Sequence, residues 1–193
     1  YKGTYKGIEV SVVSTGIGCP STAIAVEELS YIGAEVLIRI GTSGSVDKSA
    51  TKGEIFIATA AVRDDGTSKQ YIPIEFPAVA SHDVVDNLIK ASKDLEIDTK
   101  VGICQSKDSF FGETEPERMP VAPYLDYKWS SWKKGGVGAS EMEAATLFTL
   151  SHIKKIKAGA ILAIETSDKE TVQDMTKIVL ESITYMEGNR NVE

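Results

Sequence analysis

The chain has 193 residues, of which 42% are hydrophobic and 25% charged, a composition typical of a globular protein with one sizeable core. With 21 Lys and Arg against 28 Asp and Glu, its net charge is −7, which argues against binding nucleic acid or an anionic membrane through the overall field. No apolar run is long enough to span a bilayer. We therefore expect one domain over residues 1–193, located in the cytoplasm, with Cys19 and Cys104 as reduced thiols.

Patterns typical of strands and helices alternate along the chain. The predicted strands are Ile8–Ser14, Val36–Ile40, Glu54–Val62, Val101–Gln105 and Ala158–Ile164. The predicted helices are Pro20–Ile32, 82–95, 141–154 and one that begins at the capping box Ser167–Glu170. Because the strands are continuously apolar, we expect helices on both faces of the sheet in an α/β fold. Residues 107–136 are predicted to be a long irregular loop, and such loops are usually functional.

Arg39 is a cation inside Val36–Ile40, a strand that is otherwise predicted to be buried. A guanidinium keeps its charge, so it needs an anionic partner there. Gly41–Ser45 follows, and we expect it to be a loop beyond the carboxyl end of the strand, where α/β proteins bind ligands. Its small residues and hydroxyls suit an oxyanion. Either Arg39, Thr42 and Ser43 bind a phosphate, or Arg39 forms a structural ion pair with a buried carboxylate.

Two acidic residues, Glu141 and Glu143, lie at the start of an apolar helical pattern. A carboxylate there could accept hydrogen bonds from two ribose hydroxyls, with Met142 packing on the sugar. Alternatively, the acids only interact favourably with the helix dipole.

Aromatic and charged residues open the predicted loop. Phe110 could stack on a planar base, with Glu113 and Arg118 hydrogen-bonding its edge. Alternatively, Phe110 and Phe111 both belong to the core.

Three rival sites are weaker. Gly16–Ser21 resembles a dinucleotide-binding fingerprint, but its third glycine is missing and Pro20 stiffens the turn. A Ser-His-Asp hydrolase would need His82 or His152, and both fall in helical patterns with no G-x-S-x-G sequence. Arg63–Gly66 is better explained as a polar turn than as a metal site.

Together these segments resemble the nucleoside phosphorylase family, and within it the uridine phosphorylases. The matching stretches follow one another along most of the chain and are Val13–Ser21, Ile24–Leu29, Ile38–Gly44, Thr59–Gly66, Glu75–Ala80, Asp108–Phe111 and Glu141–Leu147. The resemblance implies a three-layer α/β/α sandwich around a mixed sheet that partly closes into a barrel.

The resemblance also implies roles for individual residues. Arg39 and Thr42 would bind phosphate, Glu143 would hold the ribose hydroxyls, and Phe110 would pack against the base. The catalytic residues expected on this basis are Arg39, Glu143 and Arg118, and the expected substrate-binding residues are Thr42, Ser43, Gly44, Phe110, Glu113, Glu141 and Met142.

Three departures from the family pattern bear on the substrate. Glu113 stands where uridine phosphorylases usually have a Gln, and a carboxylate cannot donate to a carbonyl as an amide can. The family's upstream phosphate loop and N-terminal His are absent, so we expect the true N-terminus to be missing. Ser167-Asp168 matches the pair of purine enzymes, so Asp168 is either the acid that protonates a purine N7 or a helix cap.

The predicted reaction is phosphorolysis of uridine to uracil and ribose 1-phosphate by a pentosyltransferase. Phosphate is the co-substrate, and no metal or organic cofactor is expected. The alternatives are a purine nucleoside phosphorylase, a nucleosidase that uses water, and a nucleoside-binding protein that has lost catalysis. The expected partners are a nucleoside, phosphate and further copies of the chain, in a homo-oligomer of dimers or a hexamer.

Overall fold

The computed structural model describes residues 1–46 and 50–190. The strands are β1 (Lys2–Tyr5), β2 (Ile8–Ser11), β3 (Val36–Ser45), β4 (Ile55–Asp64), β5 (Ala78–Val79), β6 (Thr99–Lys107), β7 (Ala139–Glu141) and β8 (Lys157–Ile164). The helices are α1 (Cys19–Tyr31), α2 (His82–Asp94), α3 (Phe110–Thr114), α4 (Ala122–Lys134), α5 (Ala144–Lys154) and α6 (Lys169–Arg190). Short 3₁₀ turns cover Ser68–Gln70 and Pro116–Arg118.

Five of the described strands close into a barrel-like mixed sheet. β4 pairs in parallel with β6 and antiparallel with β8, and β8 pairs in parallel with β3. β7 closes the ring because it pairs antiparallel with β3 and parallel with β6. The short strand β5 extends the sheet beside β4. Two helix pairs, α2 with α6 and α1 with α5, flank this sheet. The three-layer α/β/α architecture with a partly closed mixed sheet is therefore confirmed.

The core is built from the continuously apolar strands. In β8, residues Ala158 to Ile164 are all buried. Inside the barrel, Phe56 packs against Gly138, where a Cβ atom would lie only 2.6 Å from the ring. A methyl group at Gly138 would displace this ring, so the close approach requires glycine.

Most helices lie where the sequence predicts them. α2 occupies His82–Asp94 against a prediction of 82–95, and α1 occupies Cys19–Tyr31 against a prediction of Pro20–Ile32. In both, apolar side chains at helical spacing pack against the sheet or a neighbouring helix.

Two predictions about loops are wrong. Gly41–Ser45 is not a loop, because β3 continues to Ser45, where Gly44 and Ser45 pair with β7. Residues 107–136 are not irregular either, since α3, a 3₁₀ turn and α4 lie in this stretch. Pro116 and Pro123 occupy first turns, where a missing N–H removes no helical hydrogen bond.

Within the described ranges, no helix is both long and apolar enough to cross a membrane.

Candidate functional site

The candidate site forms where β3, the β7–α5 junction and the start of α1 meet. Arg39 comes from β3, and Glu141 ends β7 rather than beginning a helix as predicted. Glu143 occupies the N-cap position of α5, and Gly18 that of α1. The end of β7 and two helix N-termini therefore surround one cation, which comes from the interior of β3.

Arg39 lies between two carboxylates. Its Nε donates to Glu141 Oε2 at 2.9 Å, and its Nη2 lies 2.5 Å from Glu143 Oε2. The Arg39 side chain is 18% exposed, whereas the Glu141 side chain is fully buried. The ion pair that was one alternative for Arg39 is thus present, with two acids rather than one.

Glu141 has no oxygen left for a ligand. Besides Arg39, it accepts hydrogen bonds from the Ser106 hydroxyl and from the backbone N–H groups of Glu143 and Ala144 at 2.8–3.0 Å. Ser106 in turn accepts from the N–H of Ala145 at 2.8 Å. Because every one of these groups is buried, Glu141 acts as the anchor that orients Arg39 and the start of α5.

The Glu143 carboxylate has fewer hydrogen-bond partners than that of Glu141. Its Oε1 accepts from the N–H of Gly18 at 2.5 Å, while Oε2 contacts Arg39. Burial raises the pKa of the Glu143 carboxyl above its ordinary value, and Arg39 and the Gly18 N–H oppose that shift. Met142 is half-buried beside it and accepts a hydrogen bond from the Cys19 thiol through its carbonyl at 3.2 Å.

One edge of the Arg39 guanidinium remains open. Among the described residues, Nη1 has no hydrogen-bond acceptor. The guanidinium lies flat over Gly41, where a Cβ atom would be 2.6 Å from Nη1. Ser43 is buried and its hydroxyl has no partner among the described residues, while Thr42 is exposed. A guanidinium edge with free N–H donors suits an oxyanion.

A second polar cluster lies across β7 from Arg39. Lys107 Nζ is 2.9 Å from Glu113 Oε1 and donates to the Ser140 hydroxyl at 2.7 Å. Ser140 Oγ also lies 2.8 Å from both Glu113 oxygens and 2.6 Å from Gln105 Oε1. Because Ser140 immediately precedes Glu141, the two clusters share one strand.

Other predicted residues are not brought into these clusters. Phe110 is 53% exposed and packs edge-on against the equally exposed Phe111, so neither ring belongs to the core. Arg118 is also exposed and pairs with Glu115, the residue just before its 3₁₀ turn. In this structure Arg118 therefore does not join Glu113.

Asp168 has the contacts of a helix cap. It accepts from the backbone N–H of Thr171 at 2.9 Å and from the hydroxyls of Thr166 and Thr171. These hydrogen bonds lower the pKa of Asp168 to about 2. Such an acid holds no proton near neutral pH, which favours the capping interpretation over the protonation of a purine.

Sequence reasoning missed Lys107 and Ser106. Lys107 is a cation two residues beyond the predicted strand Val101–Gln105, at the strand end where ligands bind in α/β folds, and could have been found. Ser106 carries no signal, because a single hydroxyl in a strand does not reveal its partner. Among the described residues, no cluster of His, Cys, Asp and Glu could hold a metal ion.

Comparison with known proteins shows the family of the chain. A family model described as the phosphorylase superfamily matches residues 1–185. The chain is 43% identical to a uridine phosphorylase of Treponema pallidum over 92% of its own length and 69% of the relative. It is 44% identical to a uridine phosphorylase of Thermococcus kodakarensis, covering 85% of this chain and 60% of that protein. A guanosine phosphorylase of Halorubrum lacusprofundi is 40% identical, over 84% of this chain and 63% of that protein. The chain thus spans 60–69% of the length of these curated relatives.

Proposed function

Because the chain belongs to the phosphorylase superfamily, we propose that it catalyses phosphorolysis of a nucleoside, with uridine as the substrate. The observation that carries this proposal is the position of Arg39 between two carboxylates with one guanidinium edge open. The acid pair holds the cation in place, and the open edge receives phosphate.

In the proposed reaction, the C1′–N1 bond breaks and its electron pair leaves with the base. Positive charge then develops on the ribose ring, and a phosphate oxygen attacks C1′ to give ribose 1-phosphate. Arg39 holds the phosphate beside the developing cation, so the two reactants meet in a fixed geometry. Glu143 accepts hydrogen bonds from the ribose hydroxyls and orients C1′ toward the phosphate.

Uridine is favoured over a purine nucleoside on two grounds. Relatives named uridine phosphorylase are 43% and 44% identical to this chain. Asp168, the one residue expected to act as a purine-type acid, is bonded as a helix cap with a pKa of about 2. A purine nucleoside remains the second candidate, since a guanosine phosphorylase is 40% identical.

We further propose a homo-oligomer located in the cytoplasm. Exposed apolar side chains between the end of β2 and the end of α1 support contacts between copies, and they include Val12, Ile17, Ile24, Tyr31 and Ile32. The buried free thiols of Cys19 and Cys104 suit a reducing compartment.

The test is release of base from uridine and from guanosine, each with and without phosphate. Uracil release that requires phosphate supports the proposal. Release without phosphate would make the protein a nucleosidase, and preferential turnover of guanosine would make it a purine phosphorylase. Nucleoside binding with no turnover under either condition would contradict catalysis altogether.

A further inference from the structure

Ser106 is a fully buried serine near the end of β6. It lies directly opposite Glu141 in the parallel pairing of β6 with β7. Because none of its surface is accessible, a phosphate or nucleoside bound in the site does not contact it. Any effect of Ser106 on the reaction therefore passes through its hydrogen-bond partners.

The Ser106 hydroxyl both accepts and donates a hydrogen bond. Its oxygen accepts from the backbone N–H of Ala145 at 2.8 Å, in the first turn of α5. Its proton is donated to Glu141 Oε1, because a carboxylate oxygen can only accept. Both side chains are buried, so this charge-assisted hydrogen bond is shielded from water. Ser106 thereby connects the Glu141 carboxylate to the start of α5.

The two oxygens of Glu141 are divided between Ser106 and Arg39. Oε2 accepts from Arg39 Nε at 2.9 Å and from the N–H of Glu143 at 2.8 Å. The N–H of Ala144 is shared, since it lies 3.0 Å from Oε1 and 2.9 Å from Oε2. Among the described residues, Ser106 is therefore the one donor that contacts Oε1 alone. Because a carboxylate is planar and rigid, a donor that fixes Oε1 also fixes the direction in which Oε2 meets Arg39.

We propose that Ser106 is a positioning residue for phosphate, which sets the orientation of the Arg39 guanidinium through Glu141 without contacting the anion. The inference rests on the proposed function, in which the open edge of Arg39 receives phosphate. Without the Ser106 hydroxyl the Glu141 carboxylate is free to rotate, and Arg39 moves with it because its Nε is bonded to Oε2. Glu143 depends on Ser106 less, since its Oε1 is held separately by the N–H of Gly18. Loss of the hydroxyl therefore affects phosphate more than the nucleoside.

The test measures binding of inorganic phosphate and of uridine, each alone, to the whole chain by calorimetry. Ser106→Ala is expected to weaken phosphate binding on the order of tenfold, since a small misplacement of a positioning group is costly, while uridine binding stays close to native. Ser182→Ala is the matched control, because Ser182 is an equally buried serine in α6 whose hydroxyl donates to the carbonyl of Val179 at 2.7 Å. A thermal melt of each variant separates a loss of affinity from a loss of stability.

Ser106→Cys is the second variant, because it preserves the shape of the side chain and a weak S–H donor. Its phosphate affinity is expected to lie between those of native protein and Ser106→Ala. A merely structural role would lower the melting temperature of both variants, and would leave the phosphate affinity of the folded protein native or weaken phosphate and uridine binding equally.

Either of those structural outcomes would overturn the inference, as would failure of both variants to fold or failure of the native chain to bind phosphate. These outcomes do not depend on turnover. If both variants lose phosphate selectively but native protein releases no base from uridine, the proposed function fails and the positioning role stands. If native protein catalyses phosphorolysis and both variants bind phosphate as it does, the positioning role fails and the proposed function stands.

Discussion

Arg39 Nε and Glu141 Oε2 are 2.9 Å apart, although the two residues are 102 positions apart in the sequence. The Glu141 carboxylate also accepts hydrogen bonds from the Ser106 hydroxyl and from the backbone N–H groups of Glu143 and Ala144 at the start of α5. Replacement of Arg39 by a neutral residue would leave the buried Glu141 without its cation, and loss of a buried partner typically costs about 3–5 kcal/mol. Replacement of Glu141 would still leave Arg39 paired with Glu143. Strand β7 and helix α5 therefore fix the orientation of the Arg39 guanidinium, including that of its open edge.

Replacing Arg39 by Lys should impair phosphate use far more than folding. A single ammonium keeps the charge but cannot reach both carboxylates and an anion in fixed geometry. We expect kcat/KM for phosphate to fall on the order of 10²-fold, as for the loss of an electrostatic stabiliser. Steady-state kinetics at varied phosphate, with a thermal melt as the folding control, measure this. Unchanged phosphate kinetics would mean that Arg39 serves only as a structural ion pair.

Glu143→Gln should distinguish ribosides from 2′-deoxyribosides. The charged acceptor binds ribose hydroxyls in our proposal, and a hydrogen bond to a charged group contributes about 1.5–3 kcal/mol. Turnover of uridine should therefore fall roughly tenfold more than turnover of 2′-deoxyuridine, which has one such bond fewer to lose. Comparison of kcat/KM for the two substrates tests this, and equal losses would place Glu143 away from the 2′-hydroxyl.

Gly41→Ala should displace the Arg39 guanidinium without disturbing the backbone. The added Cβ would lie 2.6–2.8 Å from Nη1, Cζ and Nη2 of Arg39, and the flexible side chain has to move away. We expect kcat/KM for phosphate to fall on the order of tenfold or more, because a small misplacement of a positioning group is costly. Gly3→Ala is the control, since a Cβ there meets nothing within 4 Å. Native phosphate kinetics in Gly41→Ala would show that the site tolerates another position of Arg39.

Asp168→Ala should lower stability in a pH-dependent way. The folded pKa is depressed from 3.8 to about 2, so the carboxylate contributes stability above about pH 4 and loses it as the pH falls toward 2. We expect the melting temperature of the variant to lie below that of native protein at pH 7, with the gap closing between pH 4 and 2. Asp174→Ala is the control, because it removes a partly exposed acid within α6 that pairs with Lys177 rather than capping the helix.

A second variant at this position, Asp168→Asn, tests the purine alternative. If Asp168 is only a helix cap, Asp168→Asn should leave the ratio of uridine to inosine turnover as it is in native protein. Loss of inosine turnover alone would instead make Asp168 the acid that protonates the base.

The local sequence was sufficient for the long strands β3, β4, β6 and β8 and for the helices α1, α2, α5 and α6, but not for α3, α4 or β7. Burial periodicity and capping residues act over a few neighbouring positions, so α2, with apolar residues at helical spacing, could be predicted within one residue. The need of Arg39 for an anionic partner could also be predicted, because a charge in a buried apolar strand needs a partner whatever the position of that strand in the fold.

Tertiary structure alone decided which partners those residues have. Gly41–Ser45 is strand because its first three residues pair with β8 and its last two pair with β7. Both partners are distant in the sequence, and no local pattern encodes these pairings. For the same reason, the acids that hold Arg39 and the cation that holds Glu113 could not be derived from spacing. The sequence determined which residues need partners, through burial and charge. Only the closure of the sheet, a matter of long-range contacts, decided that Glu141 would meet Arg39 and that Arg118 would remain at the surface.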